Sequence, residues 1–90
     1  MLDLKNFLID EKQREFLQTI IEDLSLDSQS EVFLKYKDFC FLLEPHGEKV
    51  EVFSNGQTLG VYQTIDDLFL NFLIDGKSFI ERISELEYDD

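Results

Sequence analysis

Residues 31–63, EVFLKYKDFCFLLEPHGEKVEVFSNGQTLGVYQ, decide the fold of this chain. Alternating apolar and polar residues are broken by three turn signals: Lys37-Asp38, Pro45-His46-Gly47-Glu48 and Asn55-Gly56. Asn-Gly is the strongest, because both residues tolerate the positive φ of a type I′ hairpin. Four strands follow, over 32–36, 39–44, 49–54 and 57–63. The turns also fix register. A two-residue loop at 37–38 sets Leu34 opposite Phe41 and Val32 opposite Leu43. A four-residue loop at 45–48 sets Glu44 opposite Lys49 and Leu43 opposite Val50. A two-residue loop at 55–56 sets Val52 opposite Leu59 and Val50 opposite Val61.

These registers gather Val32, Leu34, Tyr36, Phe39, Phe41, Leu43, Val50, Val52, Leu59 and Val61 on one face, which needs a covering layer. The other face carries Phe33, Lys35, Cys40, Leu42, Glu51, Phe53, Thr58, Gly60 and Tyr62. Its apolar members form a contact patch unless the N-terminal segment covers them.

Upstream, residues 10–24 place Phe16, Leu17, Ile20, Ile21 and Leu24 on one helical stripe, with Asp10 and Gln13 as a capping pair. Residues 1–9 read equally as an earlier helical turn or an extended lead-in, and 25–30 (SLDSQS) as a connector. Downstream, Thr64 and Asp67 open a second helix with Ile65, Leu68, Phe69 and Phe72 inward. Asp75-Gly76 ends or turns it. The spacing of Phe79, Ile80, Ile83 and Leu86 predicts a third helix over 78–86, followed by a fraying acidic tail, 87–90. The expected architecture is α+β: a four-stranded antiparallel meander with helices packed on one face, in the order α-β-β-β-β-α-α. One domain spans 1–90, with a helical segment and connector (1–30), the sheet (31–63) and two C-terminal helices (64–90).

The net charge is −12 although 43% of the 90 residues are hydrophobic. Nine Phe and three Tyr supply enough apolar surface to fold the chain despite that charge. The charge is uneven: −4 over residues 1–30, −2 over 31–63 and −6 over 64–90. Such acidity opposes binding to nucleic acid and to anionic lipid, so neither is an expected partner. It favours a basic protein, or serves solubility alone. A single cysteine, and polar residues interrupting 1–9 where a signal peptide is apolar, point to the cytoplasm.

Motifs for chemistry are weak. Gly76-Lys77-Ser78 ends like a phosphate-binding loop, but residue 71 is Asn where the first glycine belongs. Adjacent carboxylates at 22–23 and 66–67 point about 100° apart on a helix and do not converge. The Ca²⁺ loop pattern is missing, and His46 is the single histidine. Cys40 faces Lys35, which would lower its pKa, although a small half-buried side chain explains it as well. The pentapeptide NFLID at 6–10 and 71–75 reads as repeated use of an apolar lead-in ending in Asp. No cofactor, metal site or enzymatic activity is expected.

The expected function is that of a small acidic protein-interaction domain, a binder or inhibitor of a basic partner. A toxin-neutralising, immunity-type role fits by analogy of type. The candidate contact residues are Phe33, Leu42, Phe53 and Tyr62 on the sheet, and Asp66, Asp67, Glu81 and Glu85 on the helices, the latter forming an acidic ridge. The alternative is a homo-oligomeric accessory domain that pairs through the outer sheet face.

Overall fold

The computed structural model describes residues 10–25 and 30–89. The expectations for 1–9, for most of the 25–30 connector and for Asp90 lie outside the described residues. Helix α1, Glu11–Asp23, starts where the capping pair places it. The Asp10 carboxylate accepts the Gln13 N–H at 2.8 Å, and the Gln13 side chain accepts the Asp10 N–H at 3.0 Å. Asp thus does the work more often given to Ser or Thr. Leu17, Ile20 and Leu24 are buried, and Phe16 and Ile21 flank them.

Four antiparallel strands follow: β1 (Val32–Tyr36), β2 (Phe39–His46), β3 (Lys49–Ser54) and β4 (Gln57–Tyr62). Leu34 stands opposite Phe41 and Val32 opposite Leu43, as the Lys37-Asp38 turn requires. The next turn is tighter than its sequence suggests. Gly47 takes φ +67° and makes a two-residue turn with Glu48, so Pro45 and His46 extend β2. Leu43 therefore meets Val52, and His46, rather than Glu44, meets Lys49. This is a shift of two residues, so no side chain changes face. Pro45 is tolerated because β1 pairs only as far as Leu43, leaving β2 a neighbour on one side there.

The third hairpin departs in a way that does change faces. Asn55 and Gly56, at φ +52° and +78°, turn the chain and set Ser54 opposite Gln57 and Phe53 opposite Thr58. A bulge then sets Val52 opposite Gly60 and Val50 opposite Tyr62, leaving Leu59 as the extra residue. Beyond the bulge the expected alternation is inverted. Leu59 and Val61, assigned by the turn to the core, are 47% and 51% exposed. Gly60 and Tyr62 turn inward instead, and the Tyr62 ring packs against Phe72 at 5.9 Å between centroids. Gly60 suits the place because a Cβ there would lie 3.3 Å from the Tyr62 ring.

Helix α2, Ile65–Asn71, is capped by Thr64, whose Oγ1 accepts the Asp67 N–H at 3.0 Å. Past it, the chain is not the expected third helix. Strands β5 (Leu73–Ile74) and β6 (Lys77–Ser78) form a small hairpin about Asp75-Gly76, at φ +51° and +86°. This is the same Asx-Gly chemistry that closes β3 to β4. Ser78 and Glu81 then make a capping pair, but only one turn and a short 3₁₀ helix, Ile83–Glu85, follow. The chain extends at Leu86 and forms β7, Leu86–Tyr88, against β1. Among the described residues the main sheet is therefore five-stranded, in the order β4-β3-β2-β1-β7, and Glu87 and Tyr88 of the expected acidic tail belong to its edge strand. The helical spacing identified the right inward residues, since Phe79, Ile80, Ile83 and Leu86 are all buried. It misread the backbone because the open β1 edge offers Leu86–Tyr88 hydrogen-bond partners that a helix end lacks.

The described residues form a small α+β domain, with an antiparallel sheet and two α-helices. Buried side chains of α1, α2 and the C-terminal turns share one core with the inner face of β1–β3. Phe16 of α1 lies 4.9 Å from Tyr88 of β7, between ring centroids, so α1 reaches the β7 edge on the same side of the sheet. Among the described residues no helix is long and apolar enough to cross a membrane.

Two substitutions test this register by urea denaturation. Phe69→Ala, at a fully buried ring, is expected to cost about 3–5 kcal/mol. Leu59→Ser, on the exposed bulge, should stay within about 0.5 kcal/mol of wild type. A large loss for Leu59→Ser would return β4 to the unbulged register.

Candidate functional site

The outer face of the sheet is not covered by any of the described residues. Three of its apolar side chains stand side by side, because Phe33 pairs with Leu42 and Leu42 with Phe53 across β1, β2 and β3. Phe33 is 51% exposed, and Leu42 and Phe53 are half-buried. A depression of about 410 Å³ follows this row, bounded by Glu44 on one flank and by Cys40 and Asp89 on the other. The hairpin turn Asn55-Gly56 closes one end.

A second row lies two residues along the strands. Here Glu44 is directly opposite Glu51, and Glu51 is opposite Val61. Like charges directly opposite one another destabilise a strand pair. His46 Nε2 bridges them, at 3.2 Å from Glu51 and 3.8 Å from Glu44. The Thr58 hydroxyl donates to the other Glu51 oxygen at 2.6 Å, so this carboxylate is held in place from two sides. On the opposite flank Lys35 and Glu87 are cross-strand partners 3.8 Å apart, which largely cancels their charges.

Cys40 is exposed on this face rather than half-buried, and Lys35 does not activate it. Its thiol is pushed above its ordinary value chiefly by a hydrogen bond to Asp89, with desolvation and the charge of Asp89 acting the same way. Lys35 pulls in the other direction and is outweighed. The cysteine is therefore protonated at neutral pH and is a poor nucleophile.

Of the eight residues singled out from the sequence, Phe33, Leu42 and Phe53 come together on this face. Tyr62 does not; the bulge turns it inward, where burial and the nearby Asp67 raise its phenol pKa. Leu59 and Val61 stand exposed instead, and the only sequence signal for them is the Thr58-Leu59-Gly60 stretch, with a glycine inside a strand. The four carboxylates do not form a ridge of two helices, because the second of those helices does not form. Asp67 accepts the Gln63 N–H at 3.0 Å and the Asn71 amide at 2.6 Å, closing its own helix. Asp66 sits beside it in the first turn of α2, half-buried. Glu81 accepts the N–H and hydroxyl of Ser78, at 3.0 and 2.9 Å, and those bonds hold its pKa below the usual carboxylate value. Glu85 pairs with Arg82 at 3.0 Å.

Arg82 is structural rather than a contact residue. Its guanidinium donates to the carbonyls of Ile74 (2.9 Å) and Asp75 (2.6 Å) and lies over the Tyr36 ring at 5.1 Å. It pins the β5–β6 hairpin to β1. The Gly76-Lys77-Ser78 resemblance to a phosphate loop ends in the same hairpin: Gly76 is its turn and Ser78 is buried. No group of three or more His, Cys, Asp or Glu side chains that could hold a metal ion occurs among the described residues. Comparison with family models, curated proteins and solved structures finds no match, so the reading of the site rests on its own geometry.

Two measurements check these assignments. Because the Glu81 pKa is lowered on folding, its contribution is complete above the unfolded value near 4.5 and is lost as pH falls through the lower folded value. Glu81→Gln removes the titrating carboxylate, so this variant should lose less stability than wild type between about pH 6 and about pH 3. Asp89→Asn should raise the rate of Cys40 alkylation severalfold at neutral pH; an unchanged rate would show that Asp89 does not hold the thiol proton.

Proposed function

We propose that the chain is a small acidic interaction domain that binds, and by binding inhibits, a basic protein partner. Its working surface is the outer face of the sheet. The observation that supports this most directly is the row Phe33–Leu42–Phe53, which no described residue covers, beside the opposed carboxylates Glu44 and Glu51. Exposed apolar clusters rimmed by polar groups are characteristic of protein contacts. Aromatic side chains at such places supply most of the short-range affinity, and the surrounding charge sets partner choice and encounter rate. A net charge of −12 draws in a basic protein and opposes stacking of two copies of this chain face to face. The helix-side carboxylates contribute through this long-range field, since Asp67, Glu81 and Glu85 already have partners within the chain.

Affinity capture with immobilised wild-type, Phe33→Ser and Phe53→Ser chains, at about 50 and about 500 mM NaCl, tests this reading. Basic proteins should be retained by wild type at low salt, released at high salt, and lost from both variants. Equal retention by all three chains, or salt-insensitive retention, would remove the outer face from the function. Sedimentation of the wild-type chain should show a monomer; a dimer abolished by Phe53→Lys would instead support self-association through this face.

A further inference from the structure

Resting on that contact-face reading, we infer that the occupant of the outer face is a basic amphipathic helix of the partner, lying across the strands with its cationic flank over Glu44 and Glu51. Three features of the face set this form. First, the apolar row is perpendicular to the strands, one side chain each from β1, β2 and β3. Neighbouring strands are about 4.8 Å apart, and one stripe of a helix returns every ~5.4 Å, so a helix crossing the strands places roughly one apolar side chain per strand. An added strand, or a segment lying along the strands, would follow one strand and miss the row.

Second, the carboxylate row runs parallel to the apolar one, displaced by two residues along the strands, or about 6.7 Å. Arg or Lys side chains beside a helix's apolar stripe span that offset. Third, the charges are one-sided. Glu44 and Glu51 stand directly opposed with only His46 between them, whereas Lys35 on the other flank is matched by Glu87. A guanidinium entering between Glu44 and Glu51 relieves a like-charge pair that the fold otherwise tolerates without gain. Thr58 already orients Glu51, so little side-chain ordering remains to oppose binding. A second copy of this chain brings more carboxylates to the same place and fits less well.

Two synthetic peptides of about 14 residues serve as probes, long enough to cross four strands at ~1.5 Å per residue. Both carry the same Leu/Phe stripe and the same number of Arg residues. One has the Arg beside the stripe, and the other has them on the face opposite it. Binding to the full chain is followed by calorimetry and by amide NMR shifts. The flanking-Arg peptide should bind at least tenfold tighter, and its shifts should centre on Phe33, Leu42, Glu44, Glu51 and Phe53. In the isosteric double variant Glu44→Gln/Glu51→Gln, the difference between the peptides should vanish. Equal binding of both peptides to wild type, no binding of either, or a preference that survives the double variant would overturn the inference. So would nuclear Overhauser contacts from residues 1–9 to Phe33 and Phe53, which would give the face to the chain's own start. If the peptides fail while the wild-type chain still captures basic proteins that the Phe variants lose, the contact face stands and only the helical form of its occupant falls.

Discussion

The packing of four phenylalanines ties the halves of this protein together. Phe41 projects from the middle of the sheet and meets Phe72 and Phe79 edge to face, at 5.4 and 6.4 Å between centroids. Phe79 in turn stacks on Phe69 of α2 at 5.0 Å. The rings belong to β2, to α2 and its end, and to the turn after β6, so they join segments that local hydrogen bonds cannot. Each buried ring contributes roughly 1.5–3 kcal/mol of apolar transfer, and the edge-to-face contacts add to that. For a chain this short, where only about 60% of the unfolded surface is buried, such density is what makes folding possible at this charge. The hairpin about Asp75-Gly76 exists to serve it: the turn brings Phe72 and Phe79 together, and the Phe79 N–H donates to the Phe72 carbonyl at 2.9 Å.

What could be read from the sequence follows from which interactions are local. Asn55-Gly56, Asp10 with Gln13, and Thr64 with Asp67 each satisfy backbone geometry within four residues, and the elements they bound are where the sequence places them. The inward residues of the C-terminal segment were legible too, because apolar spacing reports burial whatever the backbone does. Its conformation was not legible. Ser78 and Glu81 signal a helix start, and they do make the capping bonds, but Leu86–Tyr88 pairs with a strand some fifty residues earlier, and no local pattern announces that. Asp75-Gly76 carried the hairpin signal plainly, in the same form as Asn55-Gly56, but stood between segments patterned as helices.

The bulge at Leu59 is the least legible feature and matters most to the candidate site. A hairpin turn fixes register only as far as the ladder stays regular, and one extra residue exchanges the faces beyond it. Tyr62 thereby moves from the outer face to the core, and Val61 moves from the core to a place opposite Glu51. The exchange has a packing logic. The inner face gains a ring that fills space against Phe72, and Gly60 leaves room for it. The outer face gains a small apolar side chain at the end of the carboxylate row. The bulge also interrupts β4, which is an edge strand, and an interrupted edge is a poor template for pairing with another chain. With β7 covering β1 on the other side, the described residues leave the broad outer face as the exposed apolar surface of the sheet.

The distribution of charge points the same way. On the helical side, carboxylates are largely occupied within the chain: Asp10, Asp67 and Glu81 cap turns, and Glu85 and Asp75 lie against Arg82. Their number reflects the many short segments that need capping, and this accounts for much of the −6 carried by residues 64–90 without reference to a ligand. Glu44 and Glu51 differ. They close no turn and cap no helix, and each sits opposite its own kind on an open sheet. Separating them, or placing a lysine opposite one, would remove the like-charge pair. Lys49 lies two pairs further along, opposite His46, so a slip of the ladder by two residues would have made that match. The tight turn at Gly47 holds the register that keeps the two carboxylates together, directly beside the apolar row.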